Sequence, residues 1–199
     1  MNRNDVSDPS NGYESVADRF ISGRSQSGVG VETVRAWAKE LPSGGAILDL
    51  GCGSGNPISK IFVEGGFALY GVDASASMIA AFRANFPSAR AECSTIEDSP
   101  FFARTFDGVV AWGLIFLLPP EVQSRLIQKV SQVLNPGGKF LFTSPSQICE
   151  WPDALTGRKS ISLGARAYRG ILTTERLTLI GELHDEGDNH YYLASKASP

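Results

Sequence analysis

Residues 47–55 read Ile-Leu-Asp-Leu-Gly-Cys-Gly-Ser-Gly, and no other stretch restricts the possible folds as much. An apolar strand stops at three glycines in alternate positions, Gly51, Gly53 and Gly55, with an acidic residue, Asp49, two places before the first. Glycine turns tightly at positive φ and lets another group come close to the backbone. In this spacing after a strand, the glycines predict a loop that presses its main chain against a ligand before a helix begins.

The rest of the chain alternates around that loop. A helix is expected from Asn56-Pro57 to Gly65-Gly66, then a strand over 67–73, a helix over 75–86 that stops before Pro87, and a strand near 89–93. Strand 107–112 precedes a helix from Pro120 to Leu134, on which Val122, Leu126, Ile127, Val130, Val133 and Leu134 form an apolar stripe. Asn135-Pro136-Gly137-Gly138 ends it, and Lys139 to Ser144 make a fifth strand. Strands alternating with helices of this length imply right-handed crossovers and a parallel sheet. A ligand then sits at the carboxyl ends of the central strands, where the strand order reverses.

Both ends of the chain differ from this pattern. The polar first ten residues, with Pro9, are expected to fray. Tyr13, Val16, Ala17 and Phe20 are spaced for a short helix over 11–20, and Val34, Trp37, Ala38 and Leu41 for a second that ends at Pro42-Ser43-Gly44-Gly45. Residues 145–174 predict one helix, around Leu163 to Leu172. Two final strands are expected near 177–184 and 189–195, joined by Asp185-Glu186-Gly187-Asp188.

The glycine run resembles motif I of the class I S-adenosylmethionine-dependent methyltransferases. The competing dinucleotide fingerprint G-x-G-x-x-G needs glycine at 56, where this chain has Asn56 followed by Pro57. The resemblance covers roughly residues 30–196 and implies a Rossmann-like, doubly wound fold. Its sheet would be mostly parallel and seven-stranded, with helices on both faces and an antiparallel C-terminal hairpin. It also implies S-adenosyl-L-methionine as cofactor and S-adenosyl-L-homocysteine as product. Residues 29–199 would form one cofactor-binding domain, and residues 1–28 an extension suited to a lid helix.

The resemblance assigns cofactor contacts to Asp49, Gly51, Cys52, Gly53, Asp73, Ala74, Thr95, Ile96 and Trp112. Asp73 ends the second strand, eighteen residues after Gly55. Its carboxylate suits both hydroxyls of a ribose, and equally suits a cap for the helix starting near Ser75. Where the family often has Gly-Asp-Ala beside the adenine, this chain has Cys93-Ser94-Thr95-Ile96, so the Thr95 hydroxyl and Ile96 backbone would stand in. Trp112, Gly113 and Phe116 stand at the end of the fourth strand, where relatives line the methyl-transfer site; Trp112 reads equally as a core residue. Asp49, within an apolar strand, needs partners from the glycine-loop amides or the cofactor's amino group. Tyr13 and Arg24 fall where some relatives cover the cofactor's carboxylate, and both also read as surface residues. His184 and His190 are the candidate bases, their pKa suiting neutral pH, or else simply packing residues.

Composition narrows the partners. A chain of 199 residues, 42% hydrophobic and 20% charged, can bury roughly 70% of its surface without staples. Its longest apolar runs are too short to span a bilayer. Net charge is −3 with a pI of about 5.4, without the basic footprint of nucleic-acid binding. Cys52, Cys93 and Cys149 show no metal spacing and read as small buried hydrophobes of a cytoplasmic protein. The expected substrate is a small molecule. Arg158, Lys159, Arg166, Arg169 and Arg176 lie close together in sequence, which suits an anionic substrate or a solvated helix face. Two other functions share these features: a non-catalytic regulatory protein that binds the cofactor, and a nicotinamide-dependent oxidoreductase.

Overall fold

The computed structural model describes residues 8–24 and 26–198. The leading segment is a 3-10 turn at Tyr13–Val16 that runs into α1 (Ala17–Arg24), followed by α2 (Val31–Ala38). The alternating part comprises β1 (Ala46–Leu50), α3 (Ile58–Glu64), β2 (Ala68–Asp73), α4 (Ala76–Asn85), β3 (Arg90–Cys93), β4 (Phe106–Ala111), α5 (Pro120–Val133) and β5 (Leu134–Thr143). The remainder is β6 (Ile148–Pro152), β7 (Lys159–Leu163), α6 (Ala165–Thr174), β8 (Leu177–His184) and β9 (His190–Lys196).

Seven strands form one sheet in the order β3-β2-β1-β4-β5-β9-β8. The first five are parallel, and β9 joins β5 antiparallel with Leu141 opposite Leu193. The expected terminal hairpin is therefore β8–β9, the antiparallel edge of the sheet. Strand order reverses between β1 and β4, which opens a crevice at their carboxyl ends.

Strand alternation sorts the core into two layers. Leu48, Leu50, Tyr70, Val109, Phe140, Phe142 and Tyr192 point to one face, covered by α5 and α6. Ile47, Leu69, Val110, Leu141 and Tyr191 point to the other, where α2, α3 and α4 supply Trp37, Phe62 and Phe82. β1 is buried at every position, as a central strand covered on both faces must be. The α5 stripe is buried at Val122, Leu126, Ile127 and Val130.

Three regions depart from the sequence expectation. Residues 145–174 hold a two-stranded antiparallel ribbon, β6–β7, before their helix. The inward positions of β7 are Ser160 and Ser162, so the usual alternation of apolar residues is missing. Buried Gln123 anchors the ribbon by donating to the Ile161 and Leu118 carbonyls, each at 2.9 Å. The leading helix starts later than expected, because Gly12 takes a left-handed conformation (φ 90°) and the chain coils tightly before Ala17. Of the residues expected to fray, 1–7 lie outside the described residues; Asp8 accepts from the Ser10 and Gly12 amides and fixes the next turn. Only Cys52 is buried; Cys93 is exposed and Cys149 lies between.

Candidate active site

The glycine loop forms the floor of a cavity of about 210 Å³ at the reversal point. Its backbone is set by β2, because the Gly51 and Cys52 amides both donate to the Val72 carbonyl at 2.8 and 3.1 Å. Gly51 and Gly53 sit at φ 67° and 52°, where a side chain is strained. A Cβ on Gly51 would lie 2.9 Å from Leu114, and one on Gly53 3.3 Å from the Phe20 ring.

Asp73 ties this loop to the next helix. One carboxylate oxygen accepts the Gly53 amide at 2.9 Å, and the other accepts the Ser75 amide at 2.9 Å. Burial raises its pKa, against the two amides, which hold the charged form. The capping of α4 falls to Ser75, whose hydroxyl accepts the Met78 amide at 3.1 Å. Asp73 thus braces both loops and still lines the cavity. Each carboxylate oxygen can take a second donor.

Asp49 and Cys52 do not line the cavity. The Asp49 carboxylate is buried within β1 and takes its bond from the Ser59 hydroxyl of α3, not from glycine-loop amides. Burial lifts its pKa to about 7, with the nearby Asp73 charge pushing the same way. The Cys52 side chain turns into the layer with Phe82. Gly51, Gly53, Asp73, Ala74, Thr95, Ile96 and Trp112 do converge on the cavity.

At one end, Thr95 donates to Asp98 at 2.9 Å, while Lys129 of α5 pins the loop through the carbonyls of Ile96, Glu97 and Ser99. At the other end, the Trp112 indole donates to the Tyr191 hydroxyl at 2.6 Å, and that hydroxyl donates to Asp185 at 2.7 Å. The Arg24 guanidinium lies 3.9 Å from the Trp112 ring centroid, a cation–π contact from the leading segment.

The leading segment also closes the cavity. Phe20 and Tyr13 line it, their rings edge to face at 5.3 Å. Glu14 accepts the Ser75 hydroxyl at 2.5 Å and the Ser77 hydroxyl and amide at 2.7 and 3.1 Å. These bonds hold the Glu14 carboxyl below its ordinary pKa. A carboxylate at the amino end of α4 also meets the positive end of the helix dipole.

Sequence reasoning missed Glu14, Lys129 and Asp153. The last enters the cavity from the loop between β6 and β7 and accepts the Tyr13 hydroxyl at 3.1 Å. An acidic residue set in a polar stretch carries no signal of its own. The fixed surroundings of Asp153 come from contacts distant in sequence, such as Trp151 packing on Phe116 at 5.3 Å.

His184 and His190 lie outside the cavity. They pair with each other at 3.1 Å, and His190 meets Glu182 at 2.9 Å. Strand alternation gives the reason: Tyr191 points toward Trp112, while His190 and Tyr192 point to the opposite face, their rings packed together. The basic residues of 158–176 are also elsewhere. Arg158 meets Asp8, Lys159 meets Glu150 and Arg169 meets Glu182, while Arg166 and Arg176 are exposed. Among the described residues, the charged side chains lining the cavity are Asp73 and Asp153, so the premise of an anionic substrate finds no cation there.

Residues 47–138 match the family model described as a methyltransferase domain. An uncharacterized methyltransferase of Bacillus cytotoxicus is 34% identical over 102 residues, covering 49% of this chain and 46% of its own length. A carboxy-S-adenosyl-L-methionine synthase of Campylobacter concisus is 32% identical over 115 residues, covering 53% of this chain and 47% of its own. The chain thus spans about half the length of the curated relatives it matches. Among solved structures, a Burkholderia thailandensis 1,6-didemethyltoxoflavin-N1-methyltransferase shares the fold at a TM-score of 0.71 and 15% identity, with 100% of this chain and 94% of that one aligned. The matched segment, the glycine loop and the sheet order together make this chain similar to the S-adenosylmethionine-dependent methyltransferases, with residues 47–138 carrying the match in sequence.

Proposed function

We propose that this protein transfers the methyl group of S-adenosylmethionine to a small-molecule acceptor. The observation that carries the reading is the bracing of Gly53 by Asp73 at the cavity floor, which puts a carboxylate beside backbone that a ligand can approach closely. The residues fit the cofactor's chemistry. Asp73 has acceptor capacity left for ribose hydroxyls, and Thr95 and Ile96 border the place for a base. Trp112 offers an aromatic face to a sulfonium.

The bound cofactor would supply a methyl already activated by positive sulfur. The chain's task is then to orient the acceptor and keep water out. Phe20, Tyr13 and Phe116 form the apolar cover that does so. At about 210 Å³ the cavity is smaller than the 300–1,000 Å³ of common ligand sites. The described part of the leading segment therefore acts as a lid over the cavity, and Phe20 withdraws from Gly53 when a ligand enters.

Three free cysteines suit a reducing cytoplasm. Net acidity and two carboxylates in the cavity suit neither nucleic acid nor an anionic acceptor. A second reading is a reaction of the same cofactor other than methyl transfer, favoured by the relative named as a carboxy-S-adenosyl-L-methionine synthase. Incubating the protein with S-adenosylmethionine and a metabolite mixture separates the two. Mass spectrometry is expected to show an acceptor gaining one methyl with equal S-adenosylhomocysteine formed. Turnover of the cofactor without methyl gain would favour the second reading.

A further inference from the structure

The polar groups of the cavity roof form a donor–acceptor pair that the cofactor contacts do not use. Asp153 is held by one oxygen, which accepts the Leu155 and Thr156 amides at 3.0 and 2.8 Å and the Thr156 hydroxyl at 3.1 Å. Its other oxygen takes the Tyr13 hydroxyl alone among the described residues, which leaves a lone pair toward the cavity. The nearby Asn11 also lines the cavity, in a left-handed conformation at φ 53°. Its side-chain nitrogen is fully buried and has no hydrogen-bond partner among the described residues. A buried donor without a partner is costly, and a ligand acceptor would satisfy it.

The surroundings select the charge. The carboxylates of Asp73 and Asp153 share the cavity without a lysine, arginine or histidine among its described lining residues. Arg24 stacks on Trp112 but does not line it. Such a site attracts a nitrogen base and repels a carboxylate or phosphate. The adjoining wall of Phe116, Leu117 and Leu118 is apolar.

We propose that Asp153, positioned by Tyr13, is the acceptor-recognition residue. It accepts an N–H from a nitrogen-bearing small molecule with an apolar or aromatic body, and Asn11 donates to an acceptor atom of the same molecule. This rests on the reading of the cavity as a methyl-transfer site. The Asp73 end belongs to the cofactor, and the Asp153 end, on the ribbon added to the seven-stranded sheet, belongs to the substrate.

Three probes of nearly equal shape test it: benzylamine, benzamide and benzoate, each titrated into the full chain saturated with S-adenosylhomocysteine and followed by NMR. The amine and the amide are expected to bind about tenfold or more tighter than benzoate. Asp153→Asn keeps the oxygen that the Leu155 and Thr156 amides need, so the ribbon loop is preserved. It is expected to remove most of the benzylamine preference while leaving S-adenosylhomocysteine affinity as in wild type. Asn11→Ala is expected to weaken benzamide more than benzylamine. Benzoate binding as well as the amine, no probe binding at millimolar concentration, or an unchanged preference in Asp153→Asn would overturn the proposal. So would lost S-adenosylhomocysteine binding in that variant, which would assign Asp153 to the cofactor's ammonium. If wild type itself does not bind S-adenosylhomocysteine, the cofactor reading fails instead, and the two failures are told apart before any probe is added.

Discussion

Asp49 shows how a single buried carboxylate couples this sheet to pH. Its carboxyl titrates near 7 in the fold and near 3.9 in an unfolded chain. Between those values the folded state holds a proton that the unfolded state releases, so stability is full at low pH and falls as pH rises toward 7. The loss is at most about 4 kcal/mol. Denaturant melts of the ligand-free protein at several pH values are expected to show this decline, and Asp49→Asn to flatten it. Equal slopes for both proteins would mean that Asp49 is ionised throughout. The glycine run and Asp73 were legible in sequence because each answers a local backbone demand: a turn at positive φ, or an acceptor at a strand end. Asp153 and Asn11 were not, since their meaning depends on a cavity assembled from both ends of the chain.

Among the elements, the leading segment reaches the core through hydrogen bonds near its start and a cation–π contact at its end. Glu14 binds the start of α4, Tyr13 binds Asp153, and Arg24 stacks on Trp112. Such a segment opens at low cost compared with one buried by apolar area. Phe20 is the part in the way, since its ring lies only 3.3 Å from where a Cβ on Gly53 would stand. Phe20→Ala is expected to speed both association and dissociation of S-adenosylhomocysteine by about tenfold in stopped flow, with a melting temperature within a few degrees of wild type. Unchanged rates with a large loss of melting temperature would make the segment part of the core. The alternating elements were readable because apolar periodicity and glycine–proline breaks coincide at their ends. The β6–β7 ribbon was hidden because buried serines replace the apolar half of β7, and a hydrogen bond from Gln123, far back in sequence, holds it.

At the scale of the whole molecule, function follows from where the strand order turns. The reversal between β1 and β4 brings the glycine loop, the end of β2 and Trp112 together, though more than sixty residues of chain separate Gly51 from Gly113. The terminal hairpin extends this frame. Asp185 at its tip accepts the Tyr191 hydroxyl, which in turn accepts the Trp112 indole, so the edge of the sheet fixes a wall of the cavity. The layer order could be inferred from the sequence pattern, because parallel crossovers leave few arrangements. The proposed acceptor residue could not, because Asp153 reaches the cavity from the loop of an added ribbon.

The central claim, that Asp73 and the glycine loop hold S-adenosylmethionine, is tested most directly by titration calorimetry of S-adenosylhomocysteine against wild type and Asp73→Ala. Wild type is expected to bind it and not NAD. On that claim the variant would lose two charge-assisted bonds to ribose, worth about 2–4 kcal/mol together, and its affinity is expected to fall roughly 30- to 1000-fold. Some stability should go too, because the Gly53 and Ser75 amides lose their acceptor. A variant that melts earlier yet binds S-adenosylhomocysteine as tightly as wild type would contradict the account, leaving Asp73 a brace between two loops and nothing more.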